Sequence, residues 1–361
     1  MAGSYPVFAR MNNGFGGAEI NLYYISRELA KDPHYEVKFV VGDYGQDPQM
    51  VMDNVGIIRV RHLNPERFPS YFHKIVSRLR FCLFVWRDNS DIYVCSTASD
   101  FLAYVVLFGK ILRGKRVIFR TGHDWDINGH FTRSKNLFGL MYKLALHRAD
   151  AIITQNEHQQ VTLKRTENLD SVVIRNGFPI SGEQPSGTRE YLLWIARADS
   201  FKRPELFIRL AQALPSHRFV MILSGSGPAK DKITREAEAI GNLEFRDGVS
   251  FFESIAYFRK AKCLVNTSSA EGFPNTFIQA GLTQTPILSF AVNPDNMLEK
   301  HNIGFCCSDN LEAAKKFVLS LNDEKIEQLG ANAFNYIRTY HNIEDKVQQY
   351  RQIITSLYAN L

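Results

Sequence analysis

The chain has little with which to staple itself. Its 361 residues include five cysteines, Cys82, Cys95, Cys263, Cys306 and Cys307, an odd number with no C-x-x-C pair. Cys306 and Cys307 are neighbours and would bridge each other only under strain. This usage excludes a disulfide framework and a cysteine zinc site, and it fits a reducing compartment. Long apolar runs are missing too. The longest, 101–109, falls well short of the roughly 18–20 residues that span a bilayer. Residues 1–10 show no cationic start leading into an apolar stretch, so no secretory signal is expected and a cytoplasmic location is. There is no short-period repeat and no low-complexity tract. Charge of one sign is scarce as well: 43 Lys and Arg face 37 Asp and Glu, a net +6 too small to mark a nucleic-acid binder.

The positive charge that exists is unevenly placed. Residues 1–175 carry 23 cations and 17 carboxylates, whereas 176–361 carry 20 of each. Within 59–148 the ratio is 16 to 6. One half is basic and the other neutral.

Short runs rich in Val, Ile and Phe alternate with longer amphipathic stretches. Strands are expected at 5–10, 36–41, 57–62, 91–95, 116–120, 151–154 and 172–175, with helices at 18–30, 69–86, 101–112 and 136–147. A second series places strands at 191–196, 218–223, 243–245, 263–266 and 286–290, separated by helices at 204–214, 229–240, 252–259 and 275–282. Buried strands joined by helices predict doubly wound parallel sheets, an α/β fold. The break between the series, 176–189, holds Gly177, Pro179, Gly182, Pro185 and Gly187 and reads as a linker rather than a hairpin. The expected division is therefore 1–175 and 176–341, with a last helix at about 342–361 packing back on the first domain. Ligands of such domains gather at strand C-termini.

Three segments stand at those ends. Gly14-Phe15-Gly16-Gly17-Ala18-Glu19 opens the first long helix, where glycines let a ligand approach backbone N–H groups at a positive helix terminus. It is not G-x-G-x-x-G, since Glu19 stands at the third glycine. Arg197 and Lys202, five residues apart after the strand at 191–196, could converge on a diphosphate, the one as a fork and the other as a point charge. The third segment, Ser268-Ser269-Ala270-Glu271-Gly272-Phe273-Pro274-Asn275-Thr276, follows the strand at 263–266 and leads into a helix that holds Gln279. Its backbone N–H groups and carboxylate could read sugar hydroxyls. Taken singly, each of the three is also what an ordinary turn or a solvated ion pair looks like.

Their order resembles the retaining family 4 glycosyltransferases, over nearly the whole chain. The Asn176–Gly177 pair, Ser224-Gly225-Ser226-Gly227-Pro228 and Asp247-Gly248-Val249 add to the likeness. The resemblance implies a GT-B fold, two Rossmann-like domains facing a central cleft, the first for the acceptor and the second for a nucleotide-diphosphate sugar. It implies that Arg197 and Lys202 hold the donor diphosphate, that Gly16 and Gly17 approach the donor phosphate or sugar, and that Glu271 sits beside the transferred sugar. Gly272, Phe273, Pro274, Asn275 and Thr276 would form the loop binding donor-sugar hydroxyls. Gly225 and Val249 would belong to the donor site, Val249 near the base. His123, in Arg120-Thr121-Gly122-His123-Asp124-Trp125-Asp126 after a strand, stands where the family keeps a histidine near the donor sugar. Gln279 departs from the family's E-x7-E, in which a second glutamate grips the ribose; its amide oxygen accepts without charge, so the grip should weaken.

Asp124 and Asp126 spell D-x-D, a metal-binding motif of another glycosyltransferase fold. With Arg197 and Lys202 available to a diphosphate, no metal and no cofactor is expected, and the two aspartates are assigned to the acceptor. The family chemistry is displacement from the front face with retention of configuration, feeding surface polysaccharide such as capsule, O-antigen or exopolysaccharide. A nicotinamide oxidoreductase, a GT-B sugar-nucleotide epimerase and a non-catalytic sugar-nucleotide binder are the competing readings. The helix expected at 69–86 reads as amphipathic, with Phe68, Phe72, Ile75, Leu79, Cys82 and Trp86 on a core face. Phe81 and Phe84 then fall outside among Lys74, Arg78 and Arg80, an expected contact with an anionic membrane surface.

Overall fold

The computed structural model describes residues 2–11, 16–64, 67–180 and 188–359. Gly14 and Phe15 of the glycine loop, and Gly182, Pro185 and Gly187 of the linker, lie outside the described residues. The chain divides into two compact units, one of residues 2–10, 16–179 and 343–359, the other built on Ile180–Asn342.

In the first unit β1 (Lys38–Val41), β2 (Gln49–Met52) and β3 (Val55–Arg59) form a small sheet ordered β1-β3-β2. β1 runs parallel to β3 and β2 antiparallel to it. The β2–β3 hairpin turns through Asp53 and Asn54, both with positive φ (50° and 63°), the turn whose twist matches that of paired strands. Then β4 (Ile92–Ser96), β5 (Arg116–Arg120), β6 (Ala151–Thr154) and β7 (Val172–Val173) lie side by side in that order, all parallel. The final helix, Ile343–Tyr358, belongs to this unit and packs on the helix Gly17–Leu29. Its start is tied to the chain leaving β7, the Ile343 N–H donating to the Phe178 carbonyl at 3.0 Å.

The strand expected at 5–10 is not there. Residues Tyr5–Phe8 form a helical turn, with Pro6 in its first turn. Proline has no N–H to give a ladder, and its φ is already that of a helix. Val7 and Phe8 are buried as a strand's would be, Phe8 meeting Tyr23 and Phe39 edge-on at 4.8 and 5.1 Å. The burial was legible; the period over four residues was not.

A second correction concerns the helix Tyr71–Arg87. Its inner stripe is Ser77, Phe81 and Val85. Phe81 is only 8% exposed, with its ring edge-on to Phe101 at 4.7 Å, and Phe84 packs on the same core. Phe81 is therefore no membrane contact, and Phe84 is half-buried. Arg78 is half-buried against Asp100 at 2.5 Å, and Arg80 lies 3.1 Å from the His62 ring, so of the five expected contact residues Lys74 is the exposed one. Phe72 and Leu79, assigned to the core, are 70% and 65% exposed. The helix is apolar on both sides, and a wheel cannot choose between them. Phe81→Ala should therefore cost about 3–5 kcal/mol in denaturant unfolding. Phe72→Ala should change stability by no more than about 0.5 kcal/mol.

The second unit is one parallel sheet of β8 (Tyr191–Arg197), β9 (Phe219–Ser224), β10 (Leu243–Asp247), β11 (Ala261–Asn266), β12 (Ile287–Ser289) and β13 (Gly304–Cys306). The strand order is β10-β9-β8-β11-β12-β13. Winding runs outward from β8 to β10, then returns to β11 and runs outward the other way. The point of reversal lies between β8 and β11, where a doubly wound sheet leaves a crevice beyond its strand ends.

Candidate active site

Arg197 ends β8 and Asn266 ends β11, so the loops that follow them flank the reversal point. Buried polar bonds sew them together. The Trp194 indole N–H donates to Thr267 Oγ1 at 2.8 Å, and the Thr267 hydroxyl donates to the Lys202 carbonyl at 2.5 Å. The Ser269 N–H donates to the Phe201 carbonyl at 2.8 Å. Arg203, left-handed at φ 48°, reaches across to the Thr267 carbonyl at 2.7 Å and pairs with Asp309 at 2.7 Å. These bonds fix where Lys202 and Glu271 stand.

Lys202 Nζ lies 2.9 Å from Glu271 Oε1, and Asn266 donates to the same oxygen at 3.3 Å. Burial alone would raise the Glu271 carboxyl, but Lys202, Ser268 and Asn266 outweigh it and hold it below its ordinary range. A carboxylate held low in the native state adds stability above its ordinary value of 4.5 and loses it as the pH falls through the lowered one. Glu271→Gln should accordingly flatten the stability–pH curve below about pH 4.5, as followed by thermal melts across acid buffers. Arg197 is half-exposed and paired with Asp199, Nε to Oδ2 at 3.1 Å. Asp199 and Ser268 lay within the expected segments and Asn266 and Thr267 just ahead of the third, but none of the four was given a role. A polar cluster closing a buried strand was the available sign.

The loop after Glu271 is packed down. Gly272, Phe273 and Pro274 are buried, the Phe273 ring lying 4.5 Å from His341, while Asn275 and Thr276 open the helix Asn275–Leu282 half-exposed. Gln279, one turn in, is 4% exposed and its amide donates to Ser254 Oγ at 2.7 Å, while that hydroxyl donates to the Phe251 carbonyl. Gly225 and Gly248 have positive φ (108° and 56°) in the loops after β9 and β10, and Val249 is half-buried beside the latter.

In the first unit, Gly16 caps the helix Gly17–Leu29. A Cβ there would fall 2.5 Å from Glu19 Oε2, the movable end of a side chain that folds back over this helix start, and with φ −84° the position does not itself demand glycine. His123 caps a short turn, Asp124–Asp126, and its Nδ1 accepts from the Trp125 N–H at 3.1 Å. That bond places the ring proton on Nε2. Asp126 is 3% exposed and wholly occupied: Oδ2 accepts from Gly122 and His123 N–H at 2.7 and 3.0 Å, Oδ1 from Ala98 N–H at 3.1 Å. It cannot meet an acceptor hydroxyl; it holds the His123 turn. Asp124 is half-buried, and its Oδ1 accepts from Gln159 at 2.9 Å. The two carboxylates of D-x-D thus serve different partners.

Two Rossmann-like units, one with paired cations and a sugar-scale loop at its reversal point, define the GT-B class. Solved structures share the fold. The sucrose-phosphate synthase of Thermosynechococcus elongatus superposes with a TM-score of 0.79 at 15% identity, covering 97% of this chain and 95% of that one. The Anabaena protein Alr3699/HepE, solved with UDP and glucose, gives 0.74 at 15% identity over 99% and 98%. Family profiles match in tandem, Glycosyltransferase Family 4 at residues 15–181 and Glycosyl transferases group 1 at 180–336. The chain belongs to the family 4, group 1 glycosyltransferases. A Campylobacter jejuni relative is 21% identical over 338 residues, 89% of each chain. It is the GalNAc-alpha-(1->4)-GalNAc-alpha-(1->3)-diNAcBac-PP-undecaprenol alpha-1,4-N-acetyl-D-galactosaminyltransferase. The D-inositol 3-phosphate glycosyltransferase of Mycobacteroides abscessus is 25% identical over 155 residues, 41% of this chain and 34% of that one.

Proposed function

We propose that the protein is a retaining, metal-independent hexosyltransferase that moves a sugar from a UDP- or GDP-sugar to a glycan or lipid-linked saccharide in surface polysaccharide synthesis. The observation that carries this reading is the Lys202–Glu271 pair beside Arg197 at the reversal point of the second sheet. A donor diphosphate arriving there exchanges with carboxylates already gripped by the same cations, Asp199 at Arg197 and Glu271 at Lys202. In this reading Ile180–Asn342 binds the donor and the first unit receives the acceptor at the cytoplasmic membrane face.

As the bond between anomeric carbon and diphosphate oxygen breaks, negative charge grows on the leaving nucleotide, and Arg197 and Lys202 stabilise it. The acceptor hydroxyl attacks from the same face, its proton passing to the departing phosphate oxygen. Glu271 and the Gly272–Asn275 backbone orient the sugar; on the first unit, the His123 Nε2–H is a donor suited to a substrate hydroxyl. Phosphate approaching the Gly16 and Gly17 amides displaces the Glu19 carboxylate folded over that helix start. Gln279, bonded to Ser254, offers the ribose a neutral oxygen at most, which favours modest nucleotide affinity.

The test is a panel of UDP- and GDP-hexoses with and without a polyprenol-diphosphate-linked saccharide, in chelator, read by mass spectrometry and by NMR of the new linkage. Nucleoside diphosphate release only with acceptor, and a linkage keeping the donor's anomeric configuration, are expected. Donor binding without transfer would instead make the chain a sugar-nucleotide binder, and an inverted linkage would remove the retaining assignment.

A further inference from the structure

The helix Tyr71–Arg87 turns the wrong face to water for an isolated soluble protein. Phe72, Ile75, Leu79, Leu83 and Trp86 are all exposed. They do not stand alone. The inner residues of this helix, of the segment between β4 and β5, and of the helix Leu137–Leu146 share one core on one side of the β4–β7 sheet. The Tyr71–Arg87 helix packs on the π-helical turn Val105–Ile111, and the helix Asp100–Tyr104 that precedes this turn packs on Leu137–Leu146. Their outer faces therefore lie side by side. The middle one exposes Leu107, Ile111 and Leu112. The third exposes Leu137, Leu140 and Leu144, with Leu137 at 72%. Scattered exposed leucines need no explanation, but three adjacent apolar faces do.

The charge around them identifies the occupant. Segments 71–87, 101–115 and 133–148 carry eleven Lys and Arg and no Asp or Glu. Several of the cations are spoken for: Arg78 by Asp100, Lys110 by Asp150 at 2.9 Å, Arg113 by the Trp86 and Asp88 carbonyls. Lys74, Arg87, Lys135 and Lys143 are exposed and make no ion pair among the described residues. A second copy meeting this face by a twofold axis would set like charges against each other. An anionic bilayer surface satisfies both features: apolar tips enter the headgroup boundary while lysine stems reach phosphates. Among the described residues no helix is long and apolar enough to cross a membrane, so the contact lies on the surface.

We infer that the outer faces of these three helical segments form a docking surface for an anionic lipid leaflet, with Phe72, Leu79, Trp86 and Leu140 entering it and Lys74 and Lys143 holding headgroup phosphate. This deepens the lipid-linked acceptor reading and rests on it for its purpose, not for its physics.

The test is sedimentation of the full chain with vesicles of phosphatidylcholine alone or mixed with phosphatidylglycerol. Binding to the mixed vesicles at low ionic strength, weakened by salt, is expected. Phe72→Ser/Leu79→Ser and, separately, Lys74→Glu/Lys143→Glu should each weaken partitioning by about tenfold or more, with thermal melts and nucleotide-diphosphate binding unchanged. Trp86 fluorescence should shift to the blue on binding, and Trp86→Phe should remove that shift. A wild-type chain left in the supernatant overturns the proposal, as does equal binding by the serine pair. A dimer that the serine pair dissolves assigns the face to a second copy and overturns it too. Failure of the wild type to bind UDP or GDP defeats the transferase reading alone, leaving the vesicle result to stand or fall by itself.

Discussion

Lys202→Ala is expected to lower turnover by a factor of about 10²–10³ or more, the loss seen when one preorganised charge is taken from a developing anion. The Lys202 ammonium is fixed from both sides, by its carbonyl's bond to Thr267 and by Glu271 at 2.9 Å. It is placed before substrate arrives and need not reorganise during the reaction. Removing it also leaves Glu271 buried beside Ser268 and Asn266 without its cation, which costs stability of its own. Nucleoside diphosphate release assayed well below the melting temperature separates the two effects. Turnover collapses while the fold persists if Lys202 serves the leaving group. If turnover instead tracks the melting temperature and the Lys202→Ala/Glu271→Gln pair restores it, the lysine is structural and the donor-site assignment is wrong.

The second large effect is on the fold of the first unit. Asp126→Ala should cost about 3–5 kcal/mol, because three part-buried backbone N–H groups, of Gly122, His123 and Ala98, lose a buried acceptor together. Asp126→Asn keeps one carbonyl oxygen but sets an amide N–H₂ against donors, so it should recover little. Asp124→Asn should cost under about 1 kcal/mol, since an amide oxygen can still accept from Gln159. Urea unfolding of the three variants ranks them. Equal costs for Asp124→Asn and Asp126→Asn would remove the distinction drawn between the two aspartates. Activity should follow the same order, because the Asp126 bonds position the His123 turn.

The alternation of buried strands with amphipathic helices was enough to predict doubly wound parallel sheets, because a strand covered on both faces must be apolar throughout. The three motif loops were legible only through their order along the chain, since each alone also reads as an ordinary turn or a solvated ion pair. The failures share a cause. Pro6 turned an apolar run of four residues into a helical turn, and four residues do not fix a period. Asp124 and Asp126 read alike in sequence, yet one fills a nest of backbone donors and the other accepts from Gln159. Gln279 was placed in its helix correctly, but its bond to Ser254 comes from the helix Phe251–Lys260, whose position no local pattern states.

The basic half shows most clearly where sequence stops. Composition alone determined that residues 71–87 carry cations without carboxylates on a helix rich in aromatics. Which aromatics face inward depended on what waits beneath: Phe101 and the β4–β7 sheet accept Phe81 and Val85, and Phe72 and Leu79 are left outside. A helix apolar on two sides has two equally good stripes, and only packing against distant strands breaks that symmetry. Sequence settled the chemistry each loop could offer; tertiary structure decided which of its atoms were already in use.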